Sequence, residues 1–239
     1  MIRRVFLGMV ILVGGYAIYA RYFGVCGEDV YVTIAPLRYC VPRELSQYEQ
    51  SLLPLNLLPG FGGPQEGEGS LILFSRLEYK KAVAGYEIER DINNQPIIED
   101  LVLISPLSEE EIGRYKYGGS NKYFQDLWFS EGQWSESWLE PVGRNGWYRA
   151  YWLPGGNSWQ VVREKPSRES GNYLQPGFAI ALCHYTVRER KTCSVTYLDE
   201  EHKLLIDLDL DEENLDFRNE IGAYIAKRLE SWEIGQKLE

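Results

Sequence analysis

The residues that could carry acid–base or nucleophilic chemistry are few and scattered. The chain has 2 histidines: His184 lies in an apolar stretch and His202 in an acidic turn. A serine hydrolase needs a nucleophile, a base and an orienting acid, yet the sequence contains neither Gly-x-Ser-x-Gly nor His-Glu-x-x-His. Acidic pairs are abundant, so a glycosidase that works with two carboxyl groups stays open as an alternative. The sequence therefore predicts no catalytic residue and no cofactor.

Three alternating aspartates, Asp207, Asp209 and Asp211, have the first spacings of a calcium-binding loop. Such a loop needs glycine at its sixth position and a bidentate glutamate at its twelfth, where this chain has Glu212 and Arg218. Alternating acids are also typical of the solvent-facing side of a β-strand, because successive side chains point to opposite faces. The sequence therefore favours a strand over a metal site here.

Four cysteines are the other reactive groups of the chain. An even number of cysteines in an exported protein indicates disulfides, and no Cys-x-x-Cys or Cys/His pattern supports a zinc site. The spacing pairs them most simply as Cys26–Cys40 and Cys183–Cys193. The second pair falls at opposed positions if a hairpin is centred on residue 188.

Acidic residues outnumber basic ones, 35 to 25. Residues 1–25 hold three arginines and no acid, so residues 26–239 hold 22 basic and 35 acidic residues, a net charge of −13. This charge repels nucleic acid and anionic lipid headgroups and suits a basic protein partner, although it would also serve solubility alone. The acids predicted to contact a partner are Glu109, Glu110, Glu111, Asp207 and Asp209.

Residues 5–25 form an apolar stretch with one charge. A helix rises about 1.5 Å per residue, so about 20 such residues span a bilayer. Because Arg3 and Arg4 precede the stretch, the positive-inside rule predicts a cytoplasmic tail at 1–4, a transmembrane signal anchor at 5–25 and a periplasmic domain at 26–239. The predicted location is the bacterial inner membrane.

Two other interpretations of the N-terminal stretch remain open. Gly15 and Ala17 are small residues at the −3 and −1 positions of a signal-peptidase site, which would release the domain. Cys26 would be the modified residue of a lipoprotein, although residues 23–25 fit the required small-residue pattern poorly.

The periplasmic part is predicted to contain strands at 30–34, 70–74 and 97–105. Glycine and proline make 58–69 a hinge or a long loop. Ser108 and Glu111 form a capping box that opens a helix over 112–117, and residues 80–86 are compatible with another short helix.

Aromatic residues are concentrated between 123 and 159. The segment is predicted to contain a hairpin of 147–153 and 158–163 around a proline–glycine turn. Its aromatic rings suit either a sugar or peptide platform or a core, and we favour the core. Six of the seven tryptophans lie there: Trp128, Trp134, Trp138, Trp147, Trp152 and Trp159.

The last third of the sequence predicts a three-stranded meander followed by a helix. Asp207 and Asp209 of the third strand point to one face, and the apolar residues that alternate with them point to the other, namely Leu204, Ile206, Leu208 and Leu210. Apolar residues at three- and four-residue spacing predict an amphipathic helix over 215–233, which covers the apolar face. The resulting fold class is α+β, an N-terminal transmembrane helix followed by a mainly antiparallel sheet covered by helices. The three strands are predicted at 178–187, 192–198 and 203–210.

This layout resembles the membrane-anchored periplasmic immunity proteins of bacterial effector–immunity pairs, including those of type VI secretion. The features that carry the resemblance are Arg3–Arg4, the stretch 5–25, the segment 39–42 and a meander-plus-helix that ends at Trp232. The resemblance covers layout rather than aligned sequence, so no residue roles are carried over. It implies an acidic binding domain whose partner is a secreted toxin.

Three functional hypotheses follow from the sequence. The first is a membrane-anchored binding protein that neutralises a toxic effector, with the bilayer contacted through 5–25. The second is an envelope enzyme that acts on glycans or lipids, and the third is a structural subunit of the cell envelope. The lack of a catalytic motif favours the first.

Overall fold

The structure is a computed structural model, and it describes residues 26, 29–34, 37–46, 70–91, 93–108, 129, 136–143, 145–151, 156–175, 177–186 and 190–234. The predicted anchor at 5–25, the loop at 58–69 and the helix at 112–117 lie outside the described residues. So do Glu109, Glu110 and Glu111.

Most of the regular secondary structure in the described chain is β-strand. Eight strands form one antiparallel sheet in the order β3-β4-β10-β9-β8-β7-β6-β5, and β1 pairs with β2 in a separate hairpin. The strands are β1 (Val30–Ile34), β2 (Leu37–Val41), β3 (Ser70–Ser75), β4 (Glu99–Pro106), β5 (Leu139–Pro141), β6 (Tyr148–Tyr151), β7 (Ser158–Val162), β8 (Ala179–Tyr185), β9 (Lys191–Asp199) and β10 (Leu204–Asp211).

The described helices are few. α1 (Arg76–Ala82) follows β3 directly, and α2 (Arg218–Trp232) ends the described chain. Short 3₁₀ segments lie at Arg43–Leu45, Glu136–Trp138, Asn172–Leu174 and Glu212–Phe217.

The C-terminal helix packs closely on the inner face of the sheet. Ile221, Ile225 and Leu229 recur every four residues and are buried, as an amphipathic stripe requires. Gly222 allows this approach, because a Cβ atom there would lie 2.2 Å from Cγ of Tyr197 on β9. The predicted helix and its place on the meander are therefore confirmed.

The predicted fold class is wrong. The described chain is mainly β, with one C-terminal helix on the sheet, rather than an α+β domain covered by helices. Part of the rest of the inner face is covered by the β1–β2 hairpin, whose residues Val32, Ile34, Tyr39 and Val41 are buried in the same core. Periodicity shows which side chains are buried but not which element covers them, so the hairpin was missed. None of the described helices has the length and apolar character needed to cross a membrane.

The two faces of the sheet are covered differently. Alternation places Ile72, Val102 and Ile206 on the inner face, where they are buried. On the outer face, Tyr173 and Phe178 cover Ala150 and Val162 at the β6–β7 end. From β3 to β8 the same face carries exposed leucines.

The meander has the predicted strands and the predicted cysteine register. Cys183 on β8 lies directly opposite Cys193 on β9, with their Cα atoms 3.9 Å apart, and the two form a disulfide. A second disulfide joins Cys26 to Cys40 on β2. Both pairs are those that the spacing indicated.

We expect the Cys183→Ala/Cys193→Ala variant to lose about 2–3 kcal/mol of unfolding free energy, because the crosslink no longer restricts the unfolded chain. Chemical denaturation at constant pH measures this loss. The matched control is Cys26→Ala/Cys40→Ala, whose crosslink spans 14 residues instead of 10. A loss below about 1 kcal/mol for the Cys183 pair would contradict the crosslink's predicted contribution.

Candidate partner-binding face

The open part of the outer face combines acids with leucines. One row across the sheet pairs Leu71 with Leu103, Leu103 with Asp207, and Asp207 with Thr196. Leu71 is 41% exposed and Leu103 is 37% exposed. We call this surface the outer-face patch; its residues are Leu71, Leu101, Leu103, Leu182, Ser194, Thr196, Asp207 and Asp209.

A second row of the outer-face patch runs beside the first. Asp209 lies opposite Ser194, and Ser194 lies opposite Leu182 on β8. Asp207 and Asp209 therefore face solvent on β10, as the alternation predicted, between leucines on β4 and a leucine on β8. Their role in binding a partner stays a prediction.

Hydroxyl groups of β9 orient both carboxylates. Thr196 Oγ1 donates to Asp207 Oδ1 at 2.5 Å, and Ser194 Oγ donates to Asp209 Oδ1 at 2.6 Å. Among the described residues, none donates a hydrogen bond to the Oδ2 atom of either aspartate. Each carboxylate is thus held at one oxygen and has the other available.

The two aspartates also affect each other electrostatically. Burial raises the pKa of Asp207, the Thr196 hydrogen bond opposes that rise, and the charge of Asp209 adds to it. Two carboxylates two residues apart on one face repel each other. A cation placed between them would therefore stabilise both.

A buried arginine fixes the backbone behind these acids. The pairing of β10 with β4 extends to Asp207 and Leu103. Beyond that point Arg76, at the start of α1, donates from Nη2 to the backbone carbonyl of Asp209 at 2.9 Å. The backbone N–H of Asp211 donates to Glu89 Oε1 at 2.7 Å. Buried side chains thus replace ladder hydrogen bonds where the two strands part.

Opposite charges surround Arg76. Its Nη2 atom is 2.9 Å from Asp100 Oδ1, it forms an ion pair with Glu89, and its side chain is only 4% exposed. Arg190 joins the network from the start of β9, with Nη2 2.7 Å from Glu89 Oε2 and Nε 2.6 Å from Asp211 Oδ1. The buried charges are therefore paired, as desolvated charges must be.

The pKa shifts in this network follow from burial. Burial lowers the pKa of Arg76, but Asp100 and Tyr86 offset it and raise the pKa above its ordinary value. Burial raises the pKa of Asp100, while Arg76 and the hydroxyl of Tyr79 act against that rise. Burial also raises the pKa of Tyr79 well above its ordinary value.

Replacing Arg76 by leucine is expected to cost about 3–5 kcal/mol of unfolding free energy, because Asp100 would be left buried without its cation and Glu89 would keep only Arg190 as its cation. Denaturant titration measures the loss. The control is Lys80→Ala, whose pair with Glu87 is exposed and should contribute less than about 1 kcal/mol.

Adding Asp100→Asn to Arg76→Leu should recover part of that loss, since one unpaired carboxylate becomes neutral. An Arg76→Leu variant as stable as the Lys80→Ala variant is incompatible with the network's predicted contribution.

A second buried carboxylate explains part of the tryptophan-rich segment. Trp159 is fully buried, and its Nε1 donates to Glu212 at 2.9 Å. Arg149 donates to both oxygens of the same carboxylate, and these hydrogen bonds raise the pKa of Arg149. The core interpretation is thus confirmed for Trp159. Trp128, Trp134 and Trp152 lie outside the described residues.

The two histidines lie on different elements. His184 is exposed on β8, whereas His202 lies in the β9–β10 turn with Nδ1 2.8 Å from Asp199 Oδ2. The hydrogen bond to Asp199 raises the pKa of His202. Within the described ranges, no group of three or more His, Cys, Asp or Glu side chains is placed to hold a metal ion. The three aspartates at 207, 209 and 211 lie on β10.

His202 should make the stability of the fold depend on pH. A raised pKa in the folded state means that the pair with Asp199 stabilises fully below the unfolded pKa of about 6.5 and is lost as pH rises through the folded value. We therefore expect His202→Gln to lower the unfolding free energy more at about pH 5.5 than at about pH 8.5.

Asp199→Asn should remove the same pH dependence as His202→Gln, and the double variant should add little to either change. Equal losses for His202→Gln at the two pH values would contradict the predicted pairing.

One feature of the sequence indicates the buried network. In a strand, Asp100 lies on the same face as Val102 and Ile104, which points inward. A charged residue at such a position requires a buried partner. Glu89 and Arg76 lie in segments without periodic polarity. Their contact with Asp100 depends on the tertiary structure rather than on a local pattern.

Comparison with known proteins found one structural neighbour. No protein-family model matches the chain, and no curated protein matches it significantly. The chain is similar to the solved structure of Smlt3025, an immunity protein of the Stenotrophomonas maltophilia type IV secretion system, with a TM-score of 0.42 and 11% identity over 87% of this chain and 94% of that chain. That neighbour belongs to a type IV rather than a type VI system.

Proposed function

We propose that this protein is a non-enzymatic binding protein of the bacterial periplasm that captures a toxic effector protein on its outer-face patch. The observation that carries the proposal is the patch itself, two oriented carboxylates with available oxygens among exposed leucines. The charge of −13 on residues 26–239 suits a basic effector.

The composition of the outer-face patch is that of a docking surface. Clustered apolar side chains at the surface mark interaction sites more often than isolated ones do. Leu101 is 42% exposed and Leu182 is 43% exposed, so burying them against a partner would be favourable. The patch lies on five hydrogen-bonded strands rather than on loops, which keeps its side chains in a fixed arrangement.

The two disulfides support the periplasmic location. Disulfides persist in oxidising compartments and are rare in the reducing cytosol. Cys26–Cys40 and Cys183–Cys193 account for all four cysteines of the chain. An effector that acts in the periplasm would meet its inhibitor there.

The test is to purify the full chain with a candidate toxin encoded by a neighbouring gene and to measure association and dissociation rates. Raising sodium chloride from about 50 mM to about 500 mM should slow association several-fold and change dissociation less, because salt screens long-range attraction. Asp207→Asn/Asp209→Asn should weaken the complex at least about tenfold.

The matched control is Glu220→Gln/Glu230→Gln, which removes the same charge from exposed positions on α2, on the other side of the sheet. It should change the affinity by less than about threefold, since distant exposed charges contribute little. Absence of a complex, together with turnover of a glycan or lipid by the purified protein, would support the envelope enzyme instead.

A further inference from the structure

We infer that the effector inserts an arginine between Asp207 and Asp209 and places apolar side chains against the leucines on both sides. This inference rests on the proposed function and specifies the partner's chemistry at the same patch. The chemical class of the ligand is thus a protein segment in which one guanidinium group is flanked by apolar residues.

The spacing of the two carboxylates favours a forked donor. Residues two apart on a strand lie about 6.8 Å apart along it and share one face. Asp207 and Asp209 each use Oδ1 for a hydroxyl of β9, so the Oδ2 atoms are the acceptors for a partner. A guanidinium carries five N–H donors in a planar fork and can reach two carboxylates, whereas a lysine ammonium is a compact point charge.

The two carboxylates are already ordered in the folded protein before a partner binds. The hydroxyls of Ser194 and Thr196 set the two carboxylates from the β9 side. Arg76 and Glu89 hold the backbone of Asp209 and Asp211 from the inner side. A preorganised site loses less entropy on binding and gains affinity for that reason. It also keeps the two negative charges close together until a cation arrives.

The leucines determine where the apolar contacts of the partner fall. Adjacent strands lie about 4.8 Å apart. Leu103 on β4 is one strand from Asp207, whereas Leu182 on β8 is two strands from Asp209. The matching segment therefore has apolar groups about 5 Å from the arginine on one side and about 10 Å on the other.

Charge complementarity selects this occupant over a second copy of the chain. Two copies meeting face to face would bring four carboxylates together, and like charges in an interface are unfavourable. Nucleic acid and anionic lipid are repelled for the same reason. A partner with an exposed arginine removes the repulsion between Asp207 and Asp209 that the free protein retains.

The experiment uses the full chain, with the candidate toxin encoded by a neighbouring gene as the probe. Each exposed arginine of the effector is replaced in turn by glutamine and by lysine, and affinities are measured against the wild-type chain and against Asp209→Asn. Replacing one of these arginines by glutamine should weaken the affinity at least about tenfold. Replacing the same arginine by lysine should cause most of that decrease. When the chain carries Asp209→Asn, replacing the same arginine should weaken the affinity by less than a further factor of about three.

Leucine variants test the apolar part of the inference. Leu101→Ser/Leu103→Ser should weaken the complex about tenfold or more. The matched control Leu77→Ser, on α1 and 45% exposed, should have little effect. Thermal unfolding of each variant shows that the fold is retained, since all three leucines are exposed.

The outcomes separate this inference from the proposed function. If the wild-type chain forms no complex with the effector, the proposed function fails. If a complex forms but every arginine replacement is additive with Asp209→Asn, the proposed function stands and the arginine inference is overturned. If lysine replaces the coupled arginine without loss, the forked geometry is overturned.

Discussion

The charge pairing around Arg76 is the interaction on which the rest of the structure depends. This guanidinium lies where β4 and β10 separate, and it donates to Asp100 and to the backbone carbonyl of Asp209. Burial of an unpaired charge is costly, so Arg76 and its acids stabilise the fold only when they are buried as partners. β4 and β10 can separate here because the network supplies hydrogen-bond partners to the backbone groups that the strand pairing leaves without one.

The same strand connects this buried network to the surface. The backbone of Asp209 is held from the inner side by Arg76, while its carboxylate lies on the outer side, where Ser194 orients it. Asp209 therefore connects the buried network on the inner side with the exposed carboxylate on the outer side. A change in the network would disturb the position of the carboxylate even if the exposed surface kept its composition.

The uneven cover of the sheet explains why one region is available for binding. α2 and the β1–β2 hairpin bury much of the inner face, and among the described residues Tyr173 and Phe178 cover the outer face at the β6–β7 end. The leucines of β3, β4 and β8 thus stay exposed beside the two aspartates. Because residues 26–239 carry a net charge of −13, such a surface fits a basic partner and disfavours self-association.

Local pattern determined the meander, the C-terminal helix, the cysteine pairs and the outward direction of Asp207 and Asp209, because each depends on residues that are close in sequence or on a fixed period of side chains. Tertiary structure decided what covers the sheet and which charges are buried together. A hairpin formed by Val30–Ile34 and Leu37–Val41 covers part of a face that was assigned to helices, since the packing of an apolar side chain does not depend on the type of element that supplies it. Arg76, Glu89 and Asp100 have no shared spacing in the sequence. Only the parting of β4 and β10 brings them into contact, and the cost of burying a charge then requires that they pair.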